Sequence, residues 1–408
     1  MGYQKEKLFN IYFFVIALVN LASSVMMQMF NATIALHMDA LGSAASVSGT
    51  IISIGAVSAT VYRFFGGKIC EKRGRRKLMV IGMADFALMS LFMGLTNALP
   101  LLYILRVLQM FGYSMASTCA SVAVIDVIPQ KRVGEGLGYY SLAASAAQAF
   151  GPSVALFFYH TEGGFFSVMS GMCFMGAVAV MITLCFLNYE IKGRKASDQW
   201  NTSGQENEGK GIWQYIEKRA LPAAWVYFFV TLTGSLVTMY LTLFASRSGI
   251  DNAGMFFTIS VVFMVAARIV SGKLSDRRGV LWAVVPGMLL LISGYMMLIF
   301  SDEIHLLFYI AGGFYGFGTG MASPALNAQA VKGVPKTRVS VASSTFFLPM
   351  DISFMAGSVL WGVMIDYFEF RLLFIMAAGL SCIAVLLSFL LFSARPKQQR
   401  VETAEQVL

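Results

Sequence analysis

Five charged side chains fall within long apolar runs of this sequence: Arg63, Asp85, Arg106, Arg268 and Asp351. A charge at hydrocarbon depth costs about 2.5–3.5 kcal/mol or more, so each calls for a partner or a task. A carboxylate in such a place can take up and release a proton. A guanidinium stays charged and grips an anion through a planar fork of donors. Uncharged polar residues form stripes at helical spacing: Asn20, Ser24, Gln28 and Asn31; Ser141, Ser145 and Gln148; Thr231, Ser235, Thr238 and Thr242. Each stripe faces one way, towards a water-filled cavity or another helix rather than towards lipid. Gln109 and Tyr113 share the face of Arg106. Proton exchange and reversible binding of a small polar molecule are the chemistry this set allows. His37, His160 and His305 are dispersed, and the five cysteines show neither metal-ligand spacing nor a disulfide framework. Gly204-x-x-x-x-Gly209-Lys210 has phosphate-loop spacing, but Gly211 stands where Ser or Thr should hold Mg²⁺. No catalytic group, metal or cofactor is expected, and the chain does not read as an enzyme.

The elements that must position these residues are apolar runs of about 20 residues, the length that crosses a bilayer as a helix. Spans are predicted over 8–30, 46–66, 78–96, 99–122, 136–159, 165–188, 221–246, 253–272, 280–300, 305–325, 341–365 and 370–393. Hydrophobic residues make up 57% of the 408 and charged residues 12%. Soluble domains run at about 45–50% and about 25%, so a water-soluble fold is excluded. A polar linker over 191–220 separates a first unit, 1–190, from a second, 221–393, with a tail over 394–408.

Of the 30 Lys and Arg, 25 fall on the side shared by both termini and two, Arg247 and Arg371, on the other. The positive-inside rule then predicts cytoplasmic termini. It also accounts for the net charge of +9 without a nucleic-acid partner.

The two units repeat one another. Displaced by 205, Arg63-x-x-x-Gly67-Lys68-Ile69-x-Glu71-x-Arg73-Gly74 falls on Arg268-x-x-x-Gly272-Lys273-Leu274-x-Asp276-x-Arg278-Gly279. Displaced by 206, Tyr103, Phe111, Gly112, Met115, Pro129, Arg132 and Gly151 meet Tyr309, Phe317, Gly318, Met321, Pro335, Arg338 and Gly357. Parallel repeats of this kind describe a rocking transporter with its site between the halves. Arg63 and Arg268 are copies lying near the basic turns, and they read as snorkelling residues that tie those turns down. Arg106 and Asp351 are not copied: Gly312 and Ser145 stand in their places. A charge kept in one copy alone reads as a site residue, with Asp351 the proton carrier or the partner of Arg106. Asp85 reads as a structural partner of Arg63.

The chain resembles the major facilitator superfamily over about residues 8–393. Gly67-Lys68-Ile69-Cys70-Glu71-Lys72-Arg73-Gly74-Arg75-Arg76-Lys77 is similar to its signature loop, with Glu71 where aspartate is usual. Arg106-Val107-Leu108-Gln109-x-x-Gly112 is similar to its helix 4 arginine motif. Gly151-Pro152 is similar to the core of the antiporter motif, with Ala155-Leu156 replacing the glycine pair. With Asp351 and Gly357 on helix 11, the pattern looks most like the bacterial drug- and sugar-efflux branch.

The resemblance implies an all-α fold of twelve membrane helices in two six-helix bundles. It implies a cavity lined by helices 1, 4, 7 and 10 and flanked by 5 and 11. Asn20, Gln28, Arg106, Gln109, Tyr113, Gln148, Ser235, Thr238 and Asp351 are the expected cavity residues. Glu71 and Asp276 would lock the two halves through Arg73, Arg132, Arg278 and Arg338, with Gly67, Gly74, Gly272 and Gly279 shaping the turns. The expected function is proton-coupled efflux of a small organic molecule by alternating access. A symporter or facilitator for a polar metabolite such as a sugar is the alternative, and a transporter-like sensor a more distant one. A lipid-embedded monomer of the inner (plasma) membrane is expected.

Overall fold

Each predicted apolar run forms a helix. The computed structural model describes residues 10–128, 133–186, 216–332, 334 and 339–393. Among them are α1 (Ile11–Ala40), α2 (Ala45–Arg73), α3 (Arg75–Gly94), α4 (Leu99–Val127), α5 (Val133–Tyr159) and α6 (Gly164–Phe186). The second set is α7 (Leu221–Arg247), α8 (Gly254–Arg278), α9 (Leu281–Ile299), α10 (His305–Val331), α11 (Val339–Tyr367) and α12 (Phe370–Phe392). No strand occurs among the described residues. Among the described residues, ten of the helices hold a stretch long and apolar enough to cross a membrane. α10 is rich in Gly and Ala, which dilute its hydropathy while allowing close packing.

The signature segments are mostly helix rather than loop. α2 runs through Gly67 and Glu71 to Arg73, and α8 runs through Gly272 and Asp276 to Arg278. Only Gly74 and Gly279 turn the chain, at φ +87° and +95°. An L side chain rarely adopts that conformation, which is why glycine recurs there 205 residues apart. The ends of the bundle therefore differ. One carries these Arg- and Lys-rich turns, the start of α1 and the finish of α12. We term it the basic end.

The repeat extends to packing. On α3, a Cβ at Gly82 would come 2.6 Å from the Gly112 carbonyl oxygen of α4; on α9, one at Gly287 would come 3.0 Å from that of Gly318 on α10. Gly151 of α5 sits against Gln28 of α1, and its counterpart Gly357 of α11 against Ser235 of α7. Small residues at these crossings let the backbones approach. α3 pairs with α6, and α9 with α12, away from the junction of the halves. Large apolar side chains such as Phe174, Leu386 and Leu390 stand exposed there. That is the surface lipid requires and water would not tolerate. Cys173, Cys185 and Cys382 are free thiols, whereas Cys119 is disulfide-bonded, which its spacing did not foretell.

Candidate substrate cavity and gate

A cavity of about 720 Å³ lies between the halves, within the size range of small-molecule sites. Eight helices line it; α3, α6, α9 and α12 do not. From the first half come Ser24, Gln28, Asn31, Thr60, Tyr113, Ser145 and Gln148. From the second come Tyr227, Thr231, Thr238, Ser260, Arg268, Tyr315, Thr319, Ser323 and Asp351. Met27, Met110, Met264, Met350, Met355, Phe257 and Phe354 supply apolar wall between them. The result is amphipathic: hydroxyls and amides on one hand, aromatic and thioether surface on the other. Part of the polar lining is tied internally. The Ser323 hydroxyl donates to Tyr227 Oη at 3.0 Å, and Thr231 bonds Ser353. Tyr227 stacks on Phe346 with ring centroids 4.7 Å apart.

The cavity is closed at the end opposite the basic turns. There α1 meets α7, α2 meets α11 and α5 meets α8 across the halves. Asp366 of α11 accepts from the backbone amides of Ala45 at 2.5 Å and Ser46 at 3.1 Å at the start of α2. Tyr240 donates to the Ser358 carbonyl at 2.6 Å, and Thr242 to the Ala32 carbonyl at 2.7 Å. Ser53 bonds Ser358 at 2.7 Å, and Arg247 pairs with Asp39. Gly254 of α8 lies against Ser153 of α5, where Thr258 also donates to the Ala149 carbonyl at 3.1 Å.

The expected cavity residues divide. Gln28, Tyr113, Gln148, Thr238 and Asp351 line the space. Four others do not. Arg106 is fully buried behind the wall formed by Met27 and Met110, donating to Gln109 Oε1 at 2.5 Å and lying 3.8 Å above the Phe30 ring. Gln109 in turn donates to Ser90 at 2.8 Å, which draws it towards α3. Asn20 donates to the Tyr140 carbonyl at 3.1 Å and so joins α1 to α5. Ser235 is buried against Gly357 and donates to the Leu232 carbonyl. The alternative pairing of Arg106 with Asp351 is not formed, since no carboxylate of a described residue lies within ion-pair distance of Arg106. Asp85 is turned onto Gly112 of α4.

Arg268 is the correction in the other direction. Read from its position as a snorkelling residue, it lines the cavity, bonded to Ser145 Oγ across the halves at 3.3 Å. Sequence reasoning also missed Tyr227 and Tyr315 and the contribution of α2 and α8. Of the proposed lock, Arg278 stands 5.4 Å over the Trp282 ring. The side chains of Arg63, Glu71, Arg73 and Asp276, and all of Arg132, Arg338 and the Gly204–Lys210 motif, lie outside the described residues. Among the described residues no His, Cys, Asp and Glu cluster could hold a metal ion.

Two like six-helix bundles around a shared cavity, with the halves in direct contact at the end opposite the basic turns, define a multi-pass membrane transporter. The model of the Major Facilitator Superfamily matches residues 16–348 and 250–407, and the chain belongs to that superfamily. It is 25% identical over 378 residues to the MFS-type transporter YhhS of Escherichia coli (strain K12), covering 90% of this chain and 88% of that protein. It is 21% identical over 359 residues to the staphylopine export protein of Staphylococcus aureus (strain Mu50 / ATCC 700699), covering 86% and 88%. The crystal structure of a D-xylose-proton symporter superposes with a TM-score of 0.73 at 14% identity, over 92% of this chain and 97% of that one. That likeness is one of fold.

Proposed function

We propose that this transporter exports a small organic molecule in exchange for protons, alternating the access of one central cavity between two faces. The observation that carries the reading is a cavity closed at one end by direct contact of the halves, with a carboxylate, Asp351, in its wall. The 25-to-2 distribution of Lys and Arg assigns the basic end to the cytoplasm of a bacterial-type inner membrane. The cavity is then shut towards the outside, the state in which an exporter loads. Units 1–190 and 221–393 rock as bodies joined by the linker 191–220, and one chain suffices. Glu71 and Asp276 engage Arg73, Arg132, Arg278 and Arg338 when the basic end closes. Relatedness to the staphylopine export protein favours export over uptake.

Everted membrane vesicles test both direction and coupling. An exported substrate should dissipate an imposed pH gradient, read across a panel of quaternary ammonium dyes, sugars and small carboxylates. Asp351→Asn should abolish that dissipation while leaving counterflow intact, because an amide keeps the shape but cannot titrate. Dissipation confined to right-side-out vesicles would reverse the direction. Wild-type-like coupling in a stable Asp351→Asn protein would remove Asp351 from the mechanism.

A further inference from the structure

We propose that Arg268 is an oxyanion-recognition site, so that the transported molecule carries a carboxylate or a phosphate-like group. The inference rests on the transport reading and names the substrate class of the same cavity. A guanidinium carries five N–H donors and keeps its charge. At Arg268 one nitrogen meets Ser145 Oγ at 3.3 Å, a long bond to a neutral hydroxyl, and another meets the Met264 thioether at 3.9 Å. No carboxylate of a described residue lies within ion-pair distance of it, although Asp351 shares the cavity wall. The remaining donors face a space of about 720 Å³.

A cation at this depth would ordinarily be paired or withdrawn to the interface. Arg268 has no such partner among the described residues and lines the cavity instead of withdrawing. The partner its fork fits best is a bidentate oxyanion. The neighbouring wall indicates what the rest of the molecule looks like. Phe257, Phe354 and Met264 offer apolar contact, and Tyr227 and Tyr315 add rings with polar tips. A compact amphipathic anion, with its head at Arg268 and an apolar body against these rings, satisfies both. The cation Arg106 does not compete for it, being sealed behind Met27 and Met110.

The test uses purified full-length protein in uncharged detergent and four probes with one body and different heads: 3-phenylpropanoate, 2-phenylethylphosphonate, 3-phenylpropanamide and 2-phenylethyl-trimethylammonium. Thermal stabilisation should show at least tenfold tighter binding of one or both anions than of the amide. The carboxylate and phosphonate arms decide which oxyanion the fork prefers. Arg268→Gln should melt as the wild type does without probe and should lose the acid-over-amide preference. Arg268→Lys should retain part of it, as a point charge without the fork. Equal affinity for acid and amide in the wild type, absence of binding by either anion, or an intact acid preference in Arg268→Gln would each overturn the proposal. Alternating exposure of a cavity cysteine to the two faces, measured in parallel, separates this result from failure of the transport reading itself.

Discussion

The two halves share a scaffold and treat charge in opposite ways. Where α4 carries Arg106, α10 carries Gly312, and where α2 carries Gly55, α8 carries Ser260. In the first half the missing side chain of Gly55 leaves the volume that Arg106 fills: a Cβ there would come 2.7 Å from Nε. In the second half backbone fills the corresponding volume. A Cβ at Gly312 would come 2.8 Å from the Phe256 carbonyl oxygen, and one at Gly316 would strike the backbone of Ser260. One crossing is thus shimmed by a charged side chain and the other drawn together by glycine. The consequence for the site is a division of labour. Among the described side chains, the first half hides Arg106 behind the cavity wall, while the second half presents both Arg268 and Asp351 to the cavity.

The largest expected effect tests that contrast directly. Gly316→Ala places a methyl on backbone that cannot yield, so α8 and α10 must separate; we expect a loss of about 3 kcal/mol, at the upper end for overpacking. Gly55→Ala meets only the side chains of Arg106 and Met110. It should cost about 1 kcal/mol. Melting temperatures of the two variants in one detergent give the comparison. Equal losses would show that the crossings are packed alike.

Next comes the hidden cation. Gln109→Leu removes the one oxygen acceptor that the described residues offer the Arg106 guanidinium, leaving it the Phe30 ring and the Met27 sulfur. A hydrogen bond to a charged group contributes about 1.5–3 kcal/mol, so a loss of about 2 kcal/mol is expected. Adding Arg106→Met should return most of it, because the buried charge that needed the acceptor is gone. Denaturation of the two singles and the double measures the coupling. Additive losses would mean that Arg106 is solvated by some other route and is not a dry, shimming charge.

These contrasts also mark what the sequence could convey. The number of helices, their order and the repeat were legible, because apolar run length and internal similarity are properties of the chain alone. Gly74 and Gly279 identified the turns for the same reason. Depth was legible for Arg106 and Asp351, which sit well inside their helices, but not for Arg268, read as lying near the basic turn although α8 continues to Arg278. Azimuth between helices was not legible. Position along α8 says how far Arg268 is from the basic turn and nothing about which neighbour it faces. Asn20 belongs to the same stripe as Gln28 and Asn31, yet α5 crosses α1 at its level and the Tyr140 carbonyl takes the amide. A polar stripe gives direction; the crossing helix decides which members reach water. Arg106 had a second signal, the Gln109 of α4 that accepts from it and the Ser90 of α3 that accepts from Gln109, but only the fold brings α3 to that amide.

The smallest effect is expected at the closed end, where the halves meet through a cap supplied in trans. The residue before α2 is Ala44, whose side chain has no oxygen to offer the unsatisfied amides of the first turn. Asp366 of the other half supplies two, at 2.5 Å from Ala45 N and 3.1 Å from Ser46 N. A carboxylate at a helix N-terminus contributes about 0.3–1 kcal/mol when exposed, and Asp366 is exposed. These bonds exist only while the ends of α2 and α11 are together, so their energy weights the closed state and not the fold. Asp366→Asn keeps an acceptor oxygen and removes the charge. It should leave the melting temperature unchanged and raise the population open at this end by up to about fivefold, the factor that about 1 kcal/mol represents. The reporter is a cysteine replacing Met355 in the cavity wall, with Cys173, Cys185 and Cys382 changed to Ser. An impermeant thiol reagent is then added from the face opposite the basic end. Raising the salt concentration should narrow the difference between the reporter protein that keeps Asp366 and its Asp366→Asn variant, as it does for exposed charges generally. Unchanged labelling would assign closure to the neutral seam alone, in which Gly49 admits the backbone of Ser358, Tyr240 caps its carbonyl and Thr242 reaches Ala32.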